Sequence, residues 1–349
     1  MTTAEAQAPT VLIVGPEFFG YNQSIAQAFE RRGFTTCVID SPTHTPKGIW
    51  NRLSIDLAGK FGVHRYAKKW RSSFNARLLR TAAELRPDLL LIIKGDWVDP
   101  ATFEQMPARR KAIWFQDKVS RCGPHSLDHA KIADAAFVFE GTDIETLQSE
   151  GCASPIFLPM AFDPEIYRNE GRAEKDIDVC FVGRMYDNRK ELVDHMVAAF
   201  PAANIQIWGR YVRYREPLTW LLWLRRMANR RWRSVYRNRN IPPKAVNALY
   251  NRSKIVLNVH HGQSRDGCNP RTFEIMATGA LQICDANPFI RDEVSPDIPQ
   301  FQTIPELEAL LARYLLDDTA RRDAAAKSEA AAGNHTFDAR VHAIIERLG

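Results

Sequence analysis

The stretch 266–281, which reads DGCNPRTFEIMATGAL, contains side chains whose types and spacing suit the binding of an anion. Asn269 and Pro270 are typical of a helix start, because Asn caps a helix and Pro lacks the N–H that the first turn leaves unpaired. Arg271 then falls in the first turn, where the helix dipole disfavours a cation by about 0.3–1 kcal/mol. An anion bound at this helix end would account for that cation.

Glu274 follows Arg271 by three residues and lies on the same face of the predicted helix. Its carboxylate can accept hydrogen bonds from the hydroxyl groups of a ligand. The alternative is that the two side chains pair with each other across one helical turn, which stabilises a helix by about 0.2–0.5 kcal/mol. The spacing alone does not separate these two interpretations.

Short apolar runs alternate with amphipathic stretches along the whole chain, and they predict the elements that position these side chains. The alternation predicts an α/β fold of two Rossmann-like, doubly wound domains with parallel sheets that face a cleft. Ligands of such domains bind beyond the carboxyl ends of the strands, so we expect the site in the loops that follow the runs. The predicted strands are 11–14, 35–40, 89–93, 112–115, 136–139, 156–158, 179–182, 205–208, 255–259 and 280–284.

Three segments, in this order and spacing, resemble the donor domain of nucleotide-sugar glycosyltransferases with the GT-B fold. They are DVCFVGRMYDNRKEL (178–192), YNRSKIVLNVHHG (250–262) and NPRTFEIMATGALQICD (269–285). The resemblance is greatest to the family similar to the spore maturation protein CgeB, which is related to glycosyltransferase family 4. It extends more weakly over the first half, through IWFQDKV, FVFEGTD and FLPMAFDPEIY, which lie between residues 113 and 167.

This resemblance implies that different parts of the chain bind the acceptor and the donor. Residues 1–165 are expected to form an N-terminal acceptor-side domain, and residues 176–335 are expected to form the nucleotide-sugar donor domain. Residues 336–349 are expected to form a helix that packs back toward the N-terminal domain. The implied activity is a metal-independent transfer of a hexose, of the retaining type, from a nucleotide diphosphate sugar to an unidentified acceptor. That acceptor can be a glycan, a lipid-linked molecule or a protein.

The resemblance also implies roles for particular residues. Glu274 matches the residue that holds the ribose hydroxyls of the donor, and Arg184 and Lys190 match the basic pair that holds its diphosphate. Such cations stabilise the charge that develops on a leaving diphosphate without a metal ion. Asp266 stands where the relatives carry a second glutamate near the donor sugar, and it is the shorter acid. Asp117 stands where the CgeB-like proteins carry an acidic residue.

Asp117 follows a predicted strand, where it can act as a base on the acceptor or simply cap a helix. Gly15 opens the first strand–helix turn and is expected to shape a loop that faces the cleft. Because no GxGxxG follows it, a dinucleotide cofactor is not predicted. His260 or its neighbour His261 is expected near the donor together with Asn269, although a buried structural histidine is the alternative.

The positive charge of the chain is confined to two segments. Residues 210–239 hold ten Arg and one Glu, and residues 47–80 carry a net charge of +8, so the other 285 residues carry −11 while the whole chain carries +6. Because Trp and Leu residues accompany the arginines of 210–239, this segment suits an anionic membrane surface. The alternative is a helical hairpin that packs on the donor domain, and nothing else in the chain indicates a nucleic-acid module.

Several classes of protein are excluded or disfavoured. No apolar run reaches the ~18 residues of a membrane span, no signal peptide is apparent, and the six cysteines are scattered, which predicts a cytoplasmic protein, peripheral to the membrane at most. Asp176 and Asp178 form a DxD pair, but it precedes a strand and is interpreted as a chance match to a metal motif. A glycoside hydrolase using Asp266 and Glu274 and a noncatalytic nucleotide-binding or scaffold protein remain as alternatives.

Overall fold

A computed structural model of the chain describes residues 8–42, 65–152, 154–171, 174–185, 187–210, 221, 224, 227–260 and 266–349. The chain divides into two units. The first consists of residues 1–160 and 337–349, and the second consists of residues 161–336. The first boundary therefore lies five residues before the predicted one at 165.

The first unit is built on a six-stranded sheet whose paired strands are parallel. The strand order is β2-β1-β3-β4-β5-β6, so the chain reverses its direction of winding between β1 and β3. All five residues of β3 are buried, as expected for a parallel strand covered on both faces. The strands are β1 (Thr10–Pro16), β2 (Thr35–Ser41), β3 (Leu89–Ile93), β4 (Arg110–Phe115), β5 (Ala135–Val138) and β6 (Pro155–Phe157).

Helices connect these strands and cover the sheet. The last helix of the chain belongs to this unit: Phe337 packs on Trp114 and Tyr21, and Arg340 donates a 2.9 Å hydrogen bond from Nε to the carbonyl of Pro159. The helices are α1 (Tyr21–Glu30), α2 (Arg65–Leu85), α3 (Pro100–Gln105), α4 (Ser126–Ile132), α5 (Thr142–Ser149) and, at the end of the chain, α12 (Phe337–Leu348).

The second unit repeats the plan with a second six-stranded parallel sheet, in the order β12-β11-β10-β7-β8-β9. Its winding reverses between β7 and β10, the arrangement of a Rossmann sheet. The two sheets confirm the predicted α/β class with doubly wound parallel sheets. The strands are β7 (Ile177–Val182), β8 (Ile205–Trp208), β9 (Tyr236–Arg237), β10 (Ser253–Asn258), β11 (Leu281–Asp285) and β12 (Gln300–Phe301).

Two of these strands, β9 and β12, were not predicted from the sequence. Each has only two residues and lies at an edge of the sheet, so neither produces a recognisable apolar run. The helices of the unit are α6 (Asp187–Ala199), α7 (Arg230–Val235), α8 (Pro243–Asn251), α9 (Arg271–Met276), α10 (Ile304–Leu316) and α11 (Asp318–Ala332).

Glycine allows the loops after β7 and β8 to approach each other closely. Gly209 has φ 142°, and a Cβ atom there would lie 1.8 Å from the carbonyl oxygen of Gly183. The N–H of Gly183 in turn donates a 2.9 Å hydrogen bond to the carbonyl of Trp208. This contact fixes the backbone beyond β7, directly before Arg184.

Candidate functional site

The candidate site of the second unit lies where the winding of its sheet reverses. In open α/β sheets, ligands bind outside the carboxyl ends of the strands at this point. Here β7 and β10 are neighbours, and the chain beyond β7 carries Arg184 while the chain beyond β10 carries His260. Helix α9 follows β10, and its first residue is Arg271.

A buried hydrogen-bond network fixes the carboxyl ends of β10 and β11. Asp285 Oδ1 accepts from the backbone N–H of His260 at 2.7 Å and contacts its Nδ1 at 2.8 Å. Because a carboxylate oxygen only accepts, Nδ1 donates to Asp285, and Nε2 lies 3.4 Å from the hydroxyl of Thr272. His260 is only 2% exposed. The structure thus places His260 in the site as a buried, hydrogen-bonded side chain that orients the start of α9.

The same network determines the position of Asn269. Asn258 donates from Nδ2 to Thr272 Oγ1 at 3.1 Å, and its Oδ1 accepts from Asn269 Nδ2 at 2.9 Å. The prediction that Asn269 caps the helix through its side chain is therefore wrong: Pro270 is the N-cap residue and no side chain caps α9. Asn269 Oδ1 is buried and has no hydrogen-bond partner within the described part of the chain.

Helix α9 presents the predicted acid–base pair, but the two side chains do not bind each other. Glu274 is 4% exposed and lies near Tyr250 of α8. Burial raises the pKa of the Tyr250 hydroxyl well above its usual range, and the Glu274 carboxylate raises it further. Within the described ranges, Arg271 forms neither an ion pair nor a side-chain hydrogen bond, so the alternative of a pair across one turn is wrong.

Arg184 and Lys190 lie on either side of the start of α6. Arg184 is exposed beyond β7, and within the described ranges its guanidinium makes no hydrogen bond or ion pair. Lys190 is half-buried in the first turn of α6. Helix α6 begins after the carboxyl end of β7, so its positive dipole end and these cations occupy one edge of the sheet.

Arg189 was missed by sequence reasoning, although it precedes Lys190. It is 5% exposed, donates a 3.1 Å hydrogen bond from Nη1 to the carbonyl of Arg184, and donates from Nη2 to the carbonyl of Val259. Its guanidinium also lies 6.0 Å from the centre of the Phe181 ring. Arg189 therefore joins the ends of β7 and β10 and holds the backbone of Arg184 in place.

The structure does not bring every predicted acid into this arrangement. Asp266 is exposed in a bend next to residues 261–265. Those five residues, which include His261, lie outside the described residues. The DxD pair lies at the opposite, amino edge of the sheet: Asp176 binds Arg252 with Nε at 2.9 Å, and Asp178 binds Lys254 at 2.7 Å. Among the described residues, no three His, Cys, Asp or Glu side chains are arranged to hold a metal ion.

In the first unit, Gly15 is not a loop residue as predicted. It lies inside β1 and is buried, and a Cβ atom there would lie 2.5 Å from Cβ of Ile93. Close packing of β1 on β3 therefore explains this glycine. Its carbonyl accepts a 3.1 Å hydrogen bond from Nδ2 of Asn22, which is 3% exposed.

Asp117 lies beyond the carboxyl end of β4, between two cations. Its Oδ2 is 3.5 Å from Nζ of Lys94, and its Oδ1 is 3.5 Å from a guanidinium nitrogen of Arg121. Oδ1 also accepts a 3.0 Å hydrogen bond from the backbone N–H of Lys118, and the short 3₁₀ helix that follows has no side-chain cap. Asp117 is thus an ion-paired carboxylate at the sheet edge, and its partner Lys94 was missed from the sequence.

In comparison with known proteins, part of the chain matches a protein family in sequence, and nearly all of it resembles solved structures in fold. Residues 188–346 match a protein family described as glycosyl transferase-like. No curated protein sequence is significantly similar to this chain.

Solved structures of low sequence identity have the same fold. Sucrose-phosphate synthase from Thermosynechococcus elongatus is 12% identical with a TM-score of 0.65, over 97% of this chain and 98% of that one. Trehalose 6-phosphate synthase from Burkholderia multivorans is 13% identical with a TM-score of 0.66, over the same shares. HepE from Anabaena, solved with UDP and glucose, is 11% identical with a TM-score of 0.64, over 97% and 99%. This chain therefore has the GT-B fold.

Proposed function

We propose that this chain is a glycosyltransferase that moves a sugar from a nucleotide diphosphate sugar to an acceptor. The observation that carries the proposal is the set of side chains at the switch point of the second unit. Arg184 and Arg271 have no anionic partner within the described ranges, and the buried carboxylate of Glu274 lies on the same short helix as Arg271. The match of residues 188–346 to a glycosyl transferase-like family supports the same activity.

The donor is expected to bind with its diphosphate against Arg184, Lys190 and Arg271 and with its ribose hydroxyls on Glu274. The bond between the anomeric carbon and the diphosphate then breaks as negative charge develops on the leaving oxygen. Fixed cations aimed at that oxygen stabilise the transition state more than the ground state, which is what accelerates the step. Because HepE was solved with UDP and glucose, UDP-linked hexoses are the first donors to test.

The acceptor side is assigned to the first unit. Asp117 is a carboxylate at a strand end, so it can accept a proton from, or orient, the attacking hydroxyl. The retaining outcome, the hexosyl type, and membership of the CgeB-like and family 4 relatives are the finer parts of the proposal, and they rest on the sequence segments quoted above. A location in the cytoplasm belongs with them.

Product analysis tests the proposal and separates it from its alternative. Labelled nucleotide sugars incubated with the protein and candidate acceptors should yield free nucleoside diphosphate and a labelled glycoside. Binding without release of the diphosphate would favour the noncatalytic nucleotide-binding or scaffold alternative. Hydrolysis of glycosides that carry no nucleotide would favour the hydrolase.

Metal independence gives a prediction of its own. Side chains of the chain itself are proposed to stabilise the diphosphate, so removing metal ions with EDTA should not remove any contact to it. The transfer rate is therefore expected to stay within about twofold of its value without EDTA, whereas loss of one preorganised contact would lower it by about 10²–10³-fold. The measurement is the initial rate before and after dialysis against EDTA. Loss of activity that Mn²⁺ restores would contradict metal independence.

Association with an anionic membrane is proposed for the segment 210–239. Leu221 and Leu224 are 65% and 60% exposed, and Arg230 and Arg233 are exposed in α7. Another part of the segment packs on the unit instead: Val235 and Tyr236 are buried in its hydrophobic core, and Trp232 packs against that core. Among the described residues, no helix is long and apolar enough to cross a membrane.

Co-sedimentation with vesicles tests this association. Because each basic residue near an anionic surface contributes about 1 kcal/mol, binding to phosphatidylglycerol vesicles should weaken about fivefold for Arg230→Gln and again for Arg233→Gln. Arg231 is left unchanged because it donates hydrogen bonds to the carbonyls of Phe200 and Ala203. Phosphatidylcholine vesicles are the control, and equal binding to both kinds of vesicle would contradict the proposal.

A further inference from the structure

The switch point of the first unit carries an exposed aromatic ring. Phe19 follows the carboxyl end of β1, is 54% exposed and has φ 51°. A left-handed backbone is unfavourable for a bulky residue and persists where the surrounding structure enforces it. Here Phe19 and Gly20 are the two central residues of a turn, which is closed by a 3.0 Å hydrogen bond from the N–H of Tyr21 to the carbonyl of Phe18. Gly20 also has a positive φ, of 81°.

The backbone is also left-handed at the end of the neighbouring strand, β3. Lys94 directly follows β3 and has φ 62°, and Gly95 has φ 80°. A Cβ atom at Gly95 would lie 2.9 Å from Nδ1 of His129, so the backbone is closely packed here. Among the described residues, three that are not glycine have positive φ, and two of them are Phe19 and Lys94. Unfavourable backbone is therefore concentrated at the point where open α/β sheets bind ligands.

The charges around Lys94, at the ends of β3 and β4, cancel one another. Nζ of Lys94 lies 3.5 Å from Asp117 Oδ2, 4.0 Å from Asp96 Oδ2 and 5.6 Å from the centre of the Phe18 ring. Arg121 is the second cation on Asp117. Two cations and two carboxylates give no net charge, so an anionic ligand or an anionic lipid surface gains little Coulombic attraction here.

A saccharide matches both halves of this surface. One face of a sugar ring presents C–H groups that pack on an aromatic ring, and its rim presents hydroxyls that need donors and acceptors. The ends of β1 and β4 lie two strand spacings apart, about 10 Å, which gives room for more than one contact. We propose that the switch point of the first unit binds a saccharide, with one ring on Phe19 and hydroxyls on Lys94 and Asp117.

The claim that the bound saccharide is the acceptor of the transferred sugar rests on the proposed function. The transferred sugar would then be added to a hydroxyl of another sugar, and not to a protein side chain or a bare lipid. Saccharide binding itself does not depend on any transfer.

Saccharide binding can be measured without a donor. The probes are methyl glycosides and disaccharides of glucose, galactose and N-acetylglucosamine, observed by saturation-transfer NMR, with phosphatidylglycerol vesicles as a separate arm. The variants are Phe19→Ala, Phe19→Trp and, as the control, Leu316→Ala, since Leu316 is an 88% exposed apolar residue of the second unit. Phe19→Ala should weaken binding at least about tenfold, and Phe19→Trp and Leu316→Ala should retain it.

A second readout keeps this inference separate from the proposed function. Donor hydrolysis without acceptor should be equal in the three variants and the unchanged protein, while transfer to the best saccharide should fall only in Phe19→Ala. The inference would be overturned if saccharides bound equally well to Phe19→Ala, or if no saccharide of the panel bound to the unchanged protein. It would also be overturned if the protein bound vesicles and this binding depended on Phe19. Phe19-dependent saccharide binding in a protein that neither binds nor cleaves any nucleotide sugar would leave the inference standing and refute the proposed function.

Discussion

Arg184→Ala is expected to lower turnover of a nucleotide sugar by about 10²–10³-fold, the usual effect of removing one preorganised contact to a developing charge. The free energy of unfolding should hardly change, because this guanidinium is exposed and, within the described ranges, has no ion pair to lose. The measurements are kcat and kcat/KM with the best donor and the melting temperature of each variant. A loss in kcat/KM that also appears in kcat identifies an interaction made in the transition state.

The matched control for this variant is Arg322→Ala. Arg322 also belongs to the second unit and its side chain is 69% exposed, but it pairs with Asp318 in the first residues of α11. It should retain normal turnover. Lys190→Ala should likewise lower turnover. If Arg184→Ala lowered the melting temperature and left turnover unchanged, the role of Arg184 would be structural.

Glu274→Gln is expected to lower kcat/KM for the donor by about 10- to 100-fold, because a hydrogen bond to a charged group contributes about 1.5–3 kcal/mol. Glutamine has the same shape, so the packing around this buried side chain is retained. The nucleotide sugar should bind more weakly, which titration calorimetry with the donor and with its nucleoside diphosphate would measure.

Tyr250→Phe is the control for Glu274→Gln. The Tyr250 hydroxyl is buried and lacks a hydrogen-bond partner within the described part of the chain, so removing it should leave stability unchanged or slightly higher. Donor use should be unaffected. If Glu274→Gln had the same donor affinity and turnover as the unchanged protein, Glu274 would not contact the ribose.

The strands that could be predicted from the sequence are those with enough residues to show a pattern. The five apolar residues of β3 and the central residues 179–181 of β7 are buried, and each strand lies close to its predicted position. The edge strands β9 and β12 are held by pairing with a neighbour, which local sequence does not record. The side chain of Asn269 does not cap α9, because it binds Asn258, a partner eleven residues away that the local sequence does not indicate.

Residues of the candidate site could be predicted where an unusual residue type falls in a recognisable motif. They could not be predicted where the side chain binds backbone groups that only the fold brings near. Arg271 was recognisable because a cation in the first turn of a helix is unfavourable. Arg189 was missed because its role depends on two carbonyls that only the folded sheet brings to it. Lys94 was missed as the partner of Asp117 because the two residues are far apart along the chain and only the pairing of β3 with β4 brings them together.

The central claim is that the second unit binds a nucleoside diphosphate at its switch point, and the melting temperature in the presence of nucleotides tests it most directly. A ligand at about 100 times its Kd adds about 2.7 kcal/mol to the free energy of unfolding. At least one of UDP, GDP, ADP and dTDP, or a sugar linked to one of them, should therefore raise the melting temperature. The rise should be smaller in Arg184→Ala and Glu274→Gln and normal in Arg322→Ala. No rise with any nucleotide, or an equal rise in all four proteins, would contradict the account.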